Sequence, residues 1–312
     1  MSRPTLALCI PAFNAAPYLP RLLRSAAEQG VPFDEVILFD DCSTDDTGDV
    51  ATAFGARVIR GDVNVGCSAA KNRLLDASCC EWIHFHDADD ELLPHFSALA
   101  FQWIALPSVP DVVLFDYEYR ENDSGELITQ SHFNDHELRD DAVRYAILNQ
   151  INPFCGVYRR HALLQVGGYD LDPEILYNED VAFHCKLALA GLTFGVENQV
   201  SIINYRIKGS MSATNRVKCL KAHYEVMRKM AASVGSRYPE EIASRLWAVA
   251  TGLAASREWR AADDALALAH ELFPYVPRGE SRRFSRFCRL AGPRLAFRIR
   301  ERGIRISKPH LR

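Results

Sequence analysis

Trp82-Ile83-His84-Phe85-His86-Asp87-Ala88-Asp89-Asp90 reads as a short buried strand, Trp82 to His86, that runs straight into three carboxylates within four positions. The acidic residues therefore fall at the carboxyl end of the strand. Carboxylates this close repel one another, and a divalent cation is the simplest way to hold them together. The same residues also suit the first turn of a helix, where negative charge is favoured. Taken alone, the segment leaves both readings open.

Working outward, the preceding residues alternate strand and helix. Thr5 to Ile10 predicts a buried strand that stops before Pro11, and Pro17 to Gln29 a helix with Leu19, Leu22, Leu23 and Ala26 on one face. Glu35 to Phe39 predicts a second strand, after which Ser43 is placed to cap a helix beginning near Thr44. Ala56 to Arg60 predicts a strand and Cys67 to Ser78 a helix. Alternation of this kind implies an α/β fold, a parallel sheet flanked by helices with its ligand crevice at the carboxyl ends of the strands. Beyond Pro110 the pattern becomes mixed: a strand at Val112 to Tyr119, a turn at Glu121 to Gly125, a return strand from Leu127, a helix at Glu179 to Ala190 and a strand at Ser201 to Arg206. Residues 215 to 273 are helical in pattern, interrupted at Gly235 and Pro239.

With 312 residues, 48% hydrophobic and 24% charged, the chain has enough apolar content to bury a core, which argues against disorder. Nine cysteines form no CxxC pair, and their odd number fits reduced thiols. The start of the chain does not resemble a signal sequence, and no apolar run approaches the roughly 20 residues of a membrane-spanning helix, so a cytoplasmic protein is expected. The net charge of -4 hides an asymmetry: residues 278 to 312 carry +10 and residues 1 to 277 carry -14. In that basic tail Phe284, Phe287, Cys288, Ala291 and Leu295 recur at helical spacing, and Gly292-Pro293 divides it into two amphipathic pieces. Docking on an anionic membrane surface is one expectation, and packing of the tail on the rest of the chain is the other. Nucleic acid is not an expected partner, because the body is acidic.

Three further polar clusters fall at the expected strand ends. Ile10-Pro11-Ala12-Phe13-Asn14 offers an aromatic ring for stacking on a base, where a core phenylalanine is the alternative. Asp40-Asp41-Cys42-Ser43 offers a carboxylate that can accept from a pyrimidine imide N–H, where a helix cap is the alternative. Asn64-Val65-Gly66-Cys67-Ser68-Ala69-Ala70-Lys71-Asn72 brings together a turn, a helix N-terminus and a lysine, a combination suited to phosphate. His84, His86 and His184 show no metal-ligand spacing and read as core or crevice residues.

In series, the IPAFN opening, DDCSTDDT, NVGCSAAKN, DADD and Asn178-Glu179-Asp180 resemble family 2 glycosyltransferases of the GT-A fold over residues 5 to about 212. Cys42 departs from the pattern, standing where glycine is common, and Cys67 stands where small or polar residues are usual. The resemblance implies a Rossmann-like nucleotide-binding sheet with helices on both faces. It implies an inverting transferase moving a sugar from a nucleotide diphosphate donor, UDP-sugar foremost, to a glycan or lipid-linked glycan acceptor in bacterial surface polysaccharide or glycoconjugate assembly. A divalent metal, Mn²⁺ or Mg²⁺, is the implied cofactor. By resemblance Phe13 and Asp41 face the base, with Pro11 and Asn14 beside them; Asp87 and Ala88 lie on the ribose side; Asp89 holds the metal; Lys71 lies near the nucleotide. Asp180 matches the general base, with Glu179 beside it, and Arg206 and Ser210 belong to a loop that closes over the diphosphate. Gly167-Gly168-Tyr169-Asp170 matches a segment on the acceptor side. The expected organisation is a catalytic domain at 1–212, divided into a nucleotide-sugar half (1–110) and an acceptor half (111–212), a helical appendage at 213–277 and the basic tail at 278–312. Two other readings compete: a nucleotidyltransferase on a related sheet, for which a Gly/Arg/Lys-rich loop after the first strand is missing, and a catalytically degenerate binding or scaffold module.

Overall fold

The computed structural model describes residues 3–207, 209, 214–277 and 281–307. The chain forms two compact units: Met1–Tyr145, Gln150–Leu171 and Lys186–Ser210 make the first, and Ala146–Asn149, Asp172–Cys185 and Met211–Arg312 the second. The segment holding Glu179 and Asp180 therefore groups with the helical unit, although it was expected within residues 1–212.

The first unit is built on a nine-stranded sheet. Its strands are β1 (Leu6–Ala12), β2 (Glu35–Asp40), β3 (Arg57–Arg60), β4 (Trp82–Phe85), β5 (Glu91–Leu92), β6 (Val112–Glu121), β7 (Leu127–Ser131), β8 (Gly156–Arg159) and β9 (Phe194–Arg206), in the order β3-β2-β1-β4-β8-β6-β9-β5, with β7 on β6. Strands β1 to β4 are mutually parallel, whereas β8 runs antiparallel to both β4 and β6. Helices α1 (Leu19–Ala27), α2 (Thr47–Ala53), α3 (Cys67–Ala77), α4 (Phe96–Ile104) and α5 (Asp135–Asp140) alternate with the strands or follow them, as does α7 (Arg160–Val166), whereas α6 (Ala142–Leu148) and α8 (Glu179–Leu189) each have residues in both units. Leu6 to Ile10 are all fully buried, which requires cover on both faces of the sheet and accounts for the unbroken apolar run.

Three boundaries differ from the sequence reading. Strand β1 continues through Pro11 to Ala12, in register with Phe39 and Asp40 of β2. Its pairing with β4 ends at Cys9, whose carbonyl accepts from the His86 amide, while the Ala12 carbonyl accepts from Asp41 on the β2 side. By alternation, the N–H that Pro11 lacks points to the β4 side, past the end of that ladder, so the proline costs no hydrogen bond. Helix α2 starts at Thr47 rather than near Thr44, and Ser43 is not its cap: the Ser43 hydroxyl instead accepts from the Asn14 amide at 2.9 Å. Strand β9 starts at Phe194 rather than Ser201, because Phe194–Val196 pair in parallel with Val112–Leu114 ahead of a register shift near Phe115. The polar Glu197-Asn198-Gln199 in its middle masks the strand in the sequence.

A histidine pair lies inside this core. The Gly156 carbonyl lies 2.8 Å from Nδ1 of His84, so a neutral His84 carries its proton there and donates it. Its Nε2 then accepts from Nδ1 of His86 at 2.9 Å. Burial lowers His84 from 6.5 to about 4 and depresses His86 as well, with the neighbouring His84 adding to the effect. A histidine held neutral in the fold but free to charge when unfolded makes the unfolded state bind more protons between those two values. Stability is thus full above pH 6.5 and falls as pH drops towards 4. For His84 alone the loss across that window is about 3 kcal/mol. Urea denaturation at pH 7.5 and 5.0 measures it, with His84→Gln expected to flatten the dependence; equal stability at both pH values contradicts the assignment.

The second unit is helical. Its helices are α9 (Arg216–Val234), α10 (Pro239–Ala255), α11 (Trp259–Leu272), α12 (Arg282–Ala291) and α13 (Pro293–Ser307). Helix α10 buries Ile242, Ala243, Leu246, Trp247, Val249, Ala250, Leu253 and Ala254, which makes it the central element, and the buried alanines 262, 265 and 269 of α11 permit close approach. The basic tail breaks at Gly292, φ +78°, and Pro293, as its sequence predicts. Tail residues join the core of this unit: Phe297 is buried with its ring 5.3 Å from Trp247, and Arg298 pairs with Asp263 at 2.7 Å. Among the described residues no helix is long and apolar enough to cross a membrane.

Candidate functional site

The loops that leave the carboxyl ends of β1 and β2 are stitched together by side-chain hydrogen bonds. The Asn14 carboxamide oxygen accepts from the Thr44 amide at 2.9 Å, Thr47 Oγ1 accepts from the Ala15 amide at 2.8 Å, and Asp45 accepts from Ala16 at 3.2 Å. Asn14 itself lies at φ +50°, a conformation asparagine tolerates. This bracing leaves Phe13 standing out of the loop, half exposed at 50%. An aromatic ring held in solvent at a strand end is available for stacking.

Asp41 is placed differently from the simplest sequence reading. Its two carboxylate oxygens accept from the amides of Val65 and Gly66 at 2.7 and 2.8 Å, so this buried side chain fixes the Asn64-Val65-Gly66 turn ahead of α3. Those two amides of the turn are thus occupied within the protein. Lys71 is also buried, at 2% exposure, its ammonium 5.1 Å from the Tyr169 ring centroid. Next to it, Asn72 clamps the backbone of Tyr169 from both sides, accepting from its amide at 2.8 Å and donating to its carbonyl at 3.0 Å. A Cβ on Gly168, φ +59°, would come within 2.3 Å of the Asn72 oxygen, so Gly167-Gly168-Tyr169-Asp170 requires glycine there. Lys186 secures the same turn by donating to the Gly168 carbonyl at 2.8 Å.

Cys42 sits at φ +63°, a left-handed conformation in which a Cβ costs roughly 1 kcal/mol. The thiol's one described contact is with the Asp62 carbonyl at 3.5 Å, an exposed hydrogen bond from a weak donor. Cys42→Gly is therefore expected to raise the free energy of unfolding by up to about 1 kcal/mol in urea titration, the relief exceeding the added unfolded-state entropy. A loss of stability would mean that the thiol contact outweighs the backbone strain.

The DADD segment following β4 divides its carboxylates between two tasks. Asp90 is fully buried and accepts from the Asn204 side chain at 2.7 Å and the Tyr205 amide at 2.8 Å, tying the segment to the end of β9. It serves as an anchor, which corrects the expectation of three carboxylates around one cation. Asp87 and Asp89 remain less buried. Burial first, and then the Asp87 charge, raise Asp89 to about 6, with Arg21 opposing weakly. Arg21 donates to the Asp89 backbone carbonyl, stacks its guanidinium 3.6 Å above the Tyr205 ring and donates to Asn122 at 3.1 Å. Tyr205 in turn donates to Glu91 at 2.8 Å. Arg21, Asn204 and Tyr205 hold the segment in place; in the sequence they are an unremarked helix arginine and two strand residues, and no local signal assigns them this task.

Among the described residues no group of three or more His, Cys, Asp or Glu side chains is arranged to hold a metal ion. Asp87 nevertheless stands near enough for its charge to help raise the Asp89 carboxyl, which Arg21 offsets only in part. Two carboxylates suit a divalent ion that completes its shell with phosphate oxygens and water. The donor set fits the implied metal in that limited form.

Glu179 and Asp180 occupy the first turn of α8, in the second unit. Glu179 is buried at 8%, and Asp180 is partly exposed with its backbone carbonyl accepting from His184 at 2.9 Å. Pro11 and Ala88 border the strand ends of β1 and β4. Arg206 is exposed at the last position of β9, while Ser210 lies outside the described residues.

Residues 7–167 match the family model described as Glycosyl transferase family 2. Among curated relatives, TuaG of Bacillus subtilis (strain 168), named as a teichuronic acid biosynthesis glycosyltransferase, is 24% identical over 233 residues, covering 73% of this chain and 89% of the relative. A PGL/p-HBAD biosynthesis glycosyltransferase of Mycobacterium bovis is 38% identical over 97 residues, 30% of this chain and 38% of that protein. Among solved structures, residues 1–349 of S. aureus TarS in complex with UDP-GlcNAc align with a TM-score of 0.74 at 20% identity, covering 97% of this chain and 92% of that one. The mannosyltransferase PcManGT from Pyrobaculum calidifontis, in complex with GDP-Man and Mn²⁺, aligns with a TM-score of 0.59 at 20% identity, covering 98% and 88%. These neighbours share the fold of glycosyltransferases of the GT-A type.

Proposed function

Since the chain belongs to glycosyl transferase family 2, we propose that it transfers a sugar from a uridine diphosphate donor to a hydroxyl acceptor with inversion at the anomeric carbon. The observation that carries this reading is Asp89 with Asp87 beside it after the end of β4, the Asp89 carboxyl raised to about 6 by burial and then by the Asp87 charge, at the edge where an α/β sheet binds its ligand. The half-exposed Phe13 at the end of β1 supports it as a stacking surface for the base, and Asp41 holds the neighbouring turn. UDP-GlcNAc bound to TarS favours a uridine donor, while GDP-Man bound to PcManGT shows that this fold also takes guanosine.

In this reading Asp89, with Asp87 beside it, would hold a divalent ion. Bound there, the ion would supply positive charge against the leaving diphosphate. The remaining work falls to the chain itself. Asp180 accepts the proton from the acceptor hydroxyl; the acceptor oxygen forms its bond to the anomeric carbon from the face opposite the diphosphate. The bond from that carbon to the diphosphate oxygen breaks, and its electron pair leaves with the diphosphate. Phe13 and the braced β1 and β2 loops orient the nucleotide, and Arg206 offers a cation for its phosphates. A glycan or lipid-linked glycan as acceptor, in surface polysaccharide or glycoconjugate assembly, is in keeping with the names of TuaG and the mycobacterial relative. All nine cysteines are free thiols, which supports a reducing, cytoplasmic setting. A panel of nucleotide sugars with and without Mn²⁺ or Mg²⁺, read by thermal shift and diphosphate release, tests the proposal. UDP-sugars should shift the melting temperature only with metal; a metal-independent response across the panel argues against it.

A further inference from the structure

Helices α12 and α13 are bound to the second unit by one face and carry a separate chemistry on the other. On the inner face of α13, Ala296, Phe297 and Glu301 are buried, and the Arg300 guanidinium covers the rings of Phe284 and Phe297 at 4.2 and 4.3 Å. Arg305 donates to the Ala254 and Ala255 carbonyls at 3.3 and 2.8 Å, satisfying the last turn of α10. These contacts fix which side of α13 faces out.

The outer side bears Leu295, Ile299 and Ile306, exposed at 51%, 50% and 75%, with Arg302 between them at spacings of four, three and four. That spacing forms one straight stripe on a helix. On α12 Leu290 is exposed at 89%, and Arg282, Arg283, Arg286 and Arg289 are exposed with it. Beside the stripe opens a pocket of about 470 Å³ lined by Arg257, Trp259, Arg298, Arg302 and Arg305. Of these four arginines, Arg298 is paired with Asp263, and among the described residues neither Arg257 nor Arg302 has a carboxylate partner. Arg257 is held at φ +65° in the turn before α11, which Trp259 opens after the N-cap Glu258, itself paired with Lys221 at 2.8 Å. Arg257 and Arg302, beside the already engaged Arg298 and Arg305, suit a phosphate, and exposed aliphatic side chains on α13 suit the boundary between headgroups and acyl chains.

We propose that this face of the second unit docks on an anionic lipid bilayer, with the arginines around Trp259 taking a lipid phosphate and Leu295, Ile299 and Ile306 entering the headgroup layer. The aliphatic stripe favours a bilayer over nucleic acid or an acidic protein surface, because charge alone would leave those side chains in water. Glycosyl transfer is not a premise of this assignment, and each stands or falls without the other. A transferase placed this way would meet acceptors presented on lipid.

Co-sedimentation of the full chain with vesicles of phosphatidylglycerol and phosphatidylcholine tests it. Wild type is expected to pellet with the anionic vesicles, to weaken as salt rises, and to stay in solution with neutral ones. Arg302→Glu should lower the partition coefficient at least roughly ten-fold, and the Ile299→Ser, Ile306→Ser double variant should lower it on the same vesicles. Both changes lie on the exposed side, and circular dichroism confirms that the variants fold. Equal pelleting on neutral and anionic vesicles, no pelleting of wild type, or either variant behaving as wild type overturns the proposal. Arg302-dependent binding of inorganic phosphate without vesicle binding, or poly-glutamate binding as tight as vesicle binding, would likewise overturn it by identifying a soluble anion or an acidic protein as the occupant.

Discussion

Asp89→Ala is expected to abolish metal-dependent binding of the nucleotide donor, a loss of at least a hundred-fold in affinity for UDP in the presence of Mn²⁺, on the order of 3 kcal/mol. The reason lies in how the DADD segment divides its carboxylates. Asp90 is committed to Asn204 and Tyr205 and cannot turn outward without leaving those donors unpaired. Once Asp89 is removed, Asp87 is the only carboxylate of the segment left for a cation, and one monodentate ligand does not hold a divalent ion beside two phosphates. Stability should move the other way. Asp89 sits at about 6 because burial and Asp87 penalise its charged form, so near neutral pH it carries a buried charge that the metal-free fold does not favour. The variant without metal should melt no lower than wild type, and relief of that charge is expected to raise its melting temperature. Calorimetry with UDP and Mn²⁺, alongside thermal melts, reads both quantities. Unchanged affinity would reduce the segment to a helix-start motif; lost affinity with a collapsed melting temperature would mark Asp89 as structural.

Much of the sheet was legible because its strands are buried on both faces. Leu6 to Ile10 and Trp82 to Phe85 read as unbroken apolar runs, and the alternation of helix and strand implied parallel order for β1 to β4. Strand β9 was half hidden, since the polar residues around its register shift broke the pattern that pairing with β6 restores. The site was legible in its residue types more than in their duties. Phe13 stands where its motif put it, but Asp41 and Asn14 spend their carboxylate and carboxamide oxygens on neighbouring loops, because an exposed binding loop needs internal donors and acceptors to hold its shape. Lys71 shows what the sequence leaves open: a lysine in a helix following a glycine turn suggests a place near phosphate, and the fold adds that it is buried with its ammonium near the Tyr169 ring. Nothing local could assign Arg21, whose partners Asn122 and Tyr205 lie far along the chain. In the tail, the Gly292-Pro293 break was plain, whereas the division of α13 into a buried and an exposed face depends on where Trp247 and Asp263 stand.

Asp180→Asn is expected to keep the fold and donor affinity while lowering turnover by roughly 10² or more, the scale for loss of a positioned general base. The substitution is nearly isosteric and keeps a polar side chain in the first turn of α8, where the loss of a negative charge from the helix N-terminus costs about 0.3–1 kcal/mol of stability. Its effect on the reaction is of another order, because an amide cannot take the proton from an acceptor hydroxyl. Glu179 is the control. It lies one position earlier in the same turn and is more deeply buried than Asp180, so Glu179→Gln should disturb packing before chemistry. Rates at saturating donor and acceptor, set beside donor affinity from calorimetry, separate the two residues: Asp180→Asn should depress kcat with UDP affinity unchanged, and Glu179→Gln should retain most of kcat. Near-normal turnover in Asp180→Asn together with a collapse in Glu179→Gln would move the base by one residue. Near-normal turnover in both would leave the acidic pair as an N-terminal turn and require a base from elsewhere in the chain.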